Sequence, residues 1–126
     1  MEVIILKISR LFVSLVIIFI FADYANGNVT DDLFKAVQNP KITSQQIDEL
    51  IKNGADVNIK SNKGWTVLMR AAFNNSDPNV IKILAAVGAD VNAKNDDGWT
   101  ALMEAVAFNP NPDVVKALIE AGANLN

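Results

Sequence analysis

The chain contains neither cysteine nor histidine. Without cysteine there is no disulfide to brace a small domain, no thiolate nucleophile and no cysteine metal site. Without histidine the commonest general base is gone, and most zinc sites go with it. Only carboxylates and hydroxyls remain for chemistry. Asp96-Asp97 could hold a cation in principle, but paired acids in a turn are ordinarily just solvated, and nothing nearby supplies a full oxygen-ligand loop. Clustered positive charge is also missing: 11 basic residues against 14 acidic ones leave a net charge of −3, and no basic run exists to meet a phosphate backbone. A non-catalytic protein with no metal, no cofactor and no nucleic-acid partner is expected.

Half of the 126 residues are hydrophobic, enough for one domain of about a hundred residues, but they are unevenly spread. Lys7 and Arg10 precede an uncharged run from Leu11 to Ala22. A basic start followed by roughly 7–15 apolar residues reads as a secretory signal peptide, whereas a spanning helix needs about 20. Cleavage after Gly27 would place Ala25 and Gly27 at the two small-residue positions, and cleavage after Ala22 is the alternative. If residues 3–22 stay uncleaved, they would form a membrane anchor. Residues 1–27 are therefore read as a signal peptide and 28–126 as the domain, exported to a periplasm or secreted. The stretch removed carries Glu2, Asp23, Lys7 and Arg10, so the net charge is unchanged.

The rest of the chain repeats itself. Asn53-Gly54-Ala55-Asp56-Val57-Asn58 recurs at Val87–Asn92 and at Ala121–Asn126, its glycines 34 positions apart. The same interval separates Trp65 from Trp99, Met69 from Met103 and Pro78 from Pro112. A fixed period of this size means stacked units that share one core, each unable to bury its apolar face alone.

Within the middle unit Thr66 is placed to cap a helix starting at Val67, and Leu68, Ala71 and Ala72 follow at the spacing of a buried stripe. Asp77 and Pro78 mark the start of a second helix, whose apolar face is Val80, Ile81, Leu84 and Ala85 and whose stop is Gly88. The third unit repeats this with Thr100, Leu102, Ala105 and Val106, then Asn111-Pro112, Val114, Val115, Leu118 and Ile119. The first is looser: Asp31–Val37 reads as a short helix, Asn39-Pro40 as a breaker and Thr43–Lys52 as the second helix, with Thr43 and Gln46 spaced as a capping box. Gln45, Gln46, Asp48 and Glu49 give it a wet outer face suited to a terminal cap.

The Gly-x-Thr-x-Leu and Gly-Ala-Asp-Val-Asn phrases at this spacing resemble the ankyrin repeat, over residues 29–126. The resemblance implies an all-α ankyrin-repeat solenoid of about three helix-turn-helix units with hairpin loops, at approximately 29–60, 61–94 and 95–126. It also implies protein–protein binding through turn tips and the outer side of the first helices. Two departures stand out. Met69 and Met103 replace the family's histidine, so stacking by packing alone is expected. The added residue in Asn75-Ser76-Asp77-Pro78 and Asn109-Pro110-Asn111-Pro112 resembles the 34-residue variant common in bacterial ankyrin proteins.

Positions that match between the second and third units serve stacking, and positions that differ are free for recognition. The differing pairs on the concave side that the resemblance implies are Asn62/Asp96, Lys63/Asp97, Arg70/Glu104, Phe73/Ala107 and Asn74/Phe108. Trp65 and Trp99 are either binding anchors or covers for the seams between units. The candidate partner-binding set is thus Lys63, Trp65, Arg70, Phe73, Asn74, Asp96, Asp97, Trp99, Glu104 and Phe108. Its charges form either a patch running from Lys63 and Arg70 to Asp96, Asp97 and Glu104 or a solvated face of little energetic weight. Lys116 and Glu120 are the charges of the last helix from Val114 to Ala121, so weak self-association through the C-terminal repeat is a further expectation. Two settings compete for the partner: an envelope protein of the same cell, or a foreign or host protein met after release. Asparagine and lysine abundance points to an AT-rich genome.

Overall fold

The computed structural model describes residues 29–125; residues 1–27, read above as a signal peptide, lie outside them. Six helices are found among these residues: α1 (Val29–Ala36), α2 (Ser44–Lys52), α3 (Val67–Asn74), α4 (Pro78–Ala86), α5 (Ala101–Phe108) and α6 (Pro112–Glu120). The first helices α1, α3 and α5 stack in one layer and the second helices α2, α4 and α6 in another, with each hairpin packed on itself. No helix among the described residues is long and apolar enough to cross a membrane.

Local signals set these boundaries. Thr43, Thr66 and Thr100 cap their helices, each hydroxyl accepting the N–H three residues on. Asp77 and Asn111 cap α4 and α6, each side-chain oxygen accepting the N–H two residues on, and Pro78 and Pro112 occupy a first turn that needs no proline N–H. After the second helices the chain reverses at Gly54, Gly88 and Gly122, with φ between 96° and 102°, and the following alanine N–H returns to Leu50, Leu84 or Leu118.

The core is a single apolar cluster. It runs from Leu33, Val37 and Ile47 through Leu68, Ala71, Ile81 and Leu84 to Ala105, Val114 and Leu118. Burying a side chain the size of Leu84 or Ile81 contributes about 1.5–3 kcal/mol. Alanines at 71, 72 and 105 are fully buried, which lets α3 and α5 approach closely.

Stacking by packing alone is not what the structure shows. Asparagine side chains cross every seam. Asn58 donates its amide to the Gly88 carbonyl at 2.9 Å and accepts the Asp90 N–H at 2.8 Å. Asn92 repeats this on Gly122 and Asn124, at 3.1 and 2.6 Å. Between the helices Asn75 donates to the Ile42 carbonyl, Asn109 to those of Ala72 and Asn75, and Asn111 to that of Ser76. The reason is that loop carbonyls and N–H groups have no helical partners and must find others. In the first unit Thr30 Oγ takes the Asp56 N–H, a role filled later by the preceding repeat's asparagine. Met69 makes a bond within its own unit, its sulfur accepting the Thr66 N–H at 3.5 Å.

The turn tips also meet. The Asp96 N–H donates to the Lys63 carbonyl at 3.1 Å, and a Cβ on Gly64 would lie 2.7 Å from Asp96 Oδ1. Gly98 has a similar φ, 82° against 75°, but open space around it. Gly64→Ala should therefore cost about 2–3 kcal/mol from backbone strain and crowding together, and Gly98→Ala about 1 kcal/mol from strain alone. Urea midpoints of the two variants check the order.

Candidate interaction face

The first-helix layer and the turn tips carry the candidate residues. Each tip is a short hairpin. Ser61 N–H donates to the Trp65 carbonyl and Asn95 N–H to that of Trp99, both at 2.9 Å. Asn95 Oδ1 accepts from both Asp97 and Trp99, each at 3.0 Å. Lys63, Asp96 and Asp97 are exposed at these tips, joined by the backbone bond described above.

Behind the tips the aromatic side chains form one row across the repeats. Trp65 and Phe73 meet edge to face with centroids 5.9 Å apart, Phe73 and Phe108 lie 4.9 Å apart, and Phe108 stacks on Trp99 at 6.0 Å. The one-position offset explains the central contact: Phe108 occupies the α5 position equivalent to Asn74, diagonally across from Phe73 on α3. Such ring pairs contribute about 0.5–1.5 kcal/mol beyond the area they bury. Trp65 and Phe73 are half-buried, whereas Trp99 and Phe108 are exposed, Phe108 to 55%. At the other end the Arg70 guanidinium sits over Trp65, 4.3 Å from its centroid.

Two members of the set lie elsewhere than expected. Glu104, expected at the acidic end of an open patch, is only 3% exposed; Asn95 Nδ2 donates to its carboxylate at 3.5 Å. Asn74 is half-buried and donates to the Gln38 carbonyl at 3.5 Å. Neither Lys63 nor Arg70 forms an ion pair among the described residues. The face is therefore an aromatic row with charged tips, and the polarised patch is not formed as drawn.

Phe34 flanks this row through Arg70 and was not among the candidates: its centroid is 5.8 Å from the Arg70 guanidinium carbon. It fills the position corresponding to Met69 and Met103, hidden by the irregular first unit. At the C-terminal end Met103 is 42% exposed where Met69 is 1%, and Val106 is 67% exposed. With Trp99, Leu102 and Leu125 they line a concavity of about 330 Å³. Among the described residues no cluster of three or more metal-ligating side chains occurs.

Residues 33–126 match the family model described as ankyrin repeats, in three copies. A stretch of 42 residues, 33% of this chain, is 48% identical to proteins named mitochondrial disaggregase from Bos taurus and Homo sapiens. The match covers 6% of those proteins' own length.

Burial raises the Glu104 carboxyl above its ordinary 4.5, an effect that Arg70 opposes and Asp97 reinforces. A carboxyl raised in the folded state binds more protons there than in the unfolded chain, so this group's contribution to stability falls as pH rises from 4.5 through the folded value. Glu104→Gln should accordingly raise the melting temperature at pH 7, with the gain shrinking as pH approaches 4.5. Melts of both proteins from pH 4 to 8 check the sign.

Proposed function

The chain belongs to the ankyrin repeat family, and on that premise we propose that it is an exported, non-catalytic module that holds a protein partner against its turn tips and first-helix face. Repeats of this family generally act in protein interaction. The observation that carries the reading is the aromatic row from Trp65 to Trp99, which spans two repeats and leaves Phe108 and Trp99 exposed. Large rings held rigid by one another lose little entropy on binding, and such residues supply most of the energy at protein interfaces. The seams are fastened by asparagines and the apolar core, so the outer rings are free for a partner.

Export rests on the basic start and apolar run within residues 1–27, with periplasm or secretion as the destination and an anchor through residues 3–22 as the alternative. The 34-residue period supports a bacterial-type protein. An envelope protein is the partner in the first setting and a foreign or host protein in the second. The disaggregase name belongs to proteins of which this chain matches a small part, and no such activity is proposed.

A second contact is favoured by the contrast between Met69 and Met103: the C-terminal face, with Val106 and Leu125, suits weak association with another copy. Sedimentation at high concentration should show a concentration-dependent dimer, and a strict monomer would remove this contact.

The main reading is tested with the full chain as bait on envelope extract and culture medium, beside a bait carrying Lys63→Asp and Phe108→Ala at exposed positions. A protein retained by the natural bait and lost from the variant is expected, and the fraction that yields it identifies the compartment. Equal retention by both baits would move the site off this face.

A further inference from the structure

Arg70 is held in place without being satisfied. Its guanidinium lies 4.3 Å from the Trp65 centroid and 5.8 Å from that of Phe34, so rings from two repeats set its position. Arginine so stacked has already lost the rotamer freedom that binding would otherwise cost. Its Nε is buried and has no hydrogen-bond partner. A partner therefore meets the guanidinium at its terminal N–H groups. Glu104 does not take that place: no ion pair joins it to Arg70 among the described residues, and its carboxylate accepts from Asn95.

The surroundings narrow what could supply the acceptor. Beside Phe34 opens a concavity of about 330 Å³ lined by Phe34 and Ile59, with Lys35, Lys60 and the opposing Asp31 around it. Lys63 is exposed at the neighbouring tip. The lining is mostly apolar, and its two lysines outnumber its one aspartate. A polyanion is disfavoured, because Asp31 lines the same concavity and the chain carries a net charge of −3. One carboxylate matches one arginine: with Nε closed to solvent, the two terminal N–H groups form the fork that meets both oxygens.

We infer that Arg70 receives an aspartate or glutamate side chain of the partner, with a neighbouring aromatic or aliphatic side chain covering Phe34 and Ile59. The inference rests on the binding-face reading above and names the chemistry of what binds there. The apolar neighbour excludes water from the ion pair, which strengthens it. Lysine would keep the charge at position 70 but lose the fork and the stacking.

The test is selection of a phage-displayed library of random twelve-residue peptides on the immobilised full chain and, in parallel, on the Arg70→Lys and Phe108→Ala variants, with circular dichroism confirming that each is folded. Peptides enriched in Asp or Glu next to Phe, Trp, Leu or Ile are expected from the natural chain. The strongest of them, made synthetically, should bind about tenfold more weakly after its acid is changed to the amide, and similarly on Arg70→Lys. Peptides that lose binding on Phe108→Ala but show no acidic enrichment, or bind Arg70→Lys equally well, would overturn the inference while leaving the interaction face standing. Selected peptides indifferent to both variants, or no selection at all, would overturn both.

Discussion

Many backbone groups in the loops between helices lack helical partners, and the stack depends on how they are paired across each seam. A carbonyl or N–H turned inward without a partner costs about as much as burying an apolar side chain gains. This chain answers with asparagine, whose amide offers a donor and an acceptor on one short stem. At positions 58 and 92 both ends are used on the following repeat. At 75 and 109 the donor reaches back to the previous one. Each seam is therefore tied on two edges, and the apolar core between them is held in register.

That fastening determines what the other side chains are free to do. With the loops secured, the rings at 65, 73, 99 and 108 are not needed to pair backbone, and they line up along the first helices. The row couples local position to long-range order: Phe73 and Phe108 meet because they sit one position apart on helices whose spacing the alanines at 71, 72 and 105 set. Arg70 and Glu104 hold equivalent positions yet have different fates. The arginine spreads over Trp65 and stays half-exposed, while the carboxylate is covered.

Much of the architecture was legible from residues alone, because its signals are local. Threonine and aspartate caps, prolines in first turns and glycines after second helices each act within a few residues, and the period of 34 says that the units stack. The seam was not legible in the same way. A methionine in place of histidine suggested a loss of directional bonding, but the bonds had moved to asparagines whose partners lie 30 to 37 residues away. Comparison of repeats picked out Arg70, Glu104 and Phe108 as differing positions and could not tell which side chain would be buried. Glu104 was expected in the open for that reason, and Phe34 was missed because the first unit departs from the period.

The asparagines grip main-chain atoms: the carbonyl of Gly88 or Gly122 and the N–H of Asp90 or Asn124. Main chain is the same whatever side chain it bears. A fastening of this kind is blind to the identity of the unit it joins, so a duplicated repeat would arrive with its own means of attachment. Gene duplication could lengthen or shuffle such an array while the outward side chains diverge under separate selection.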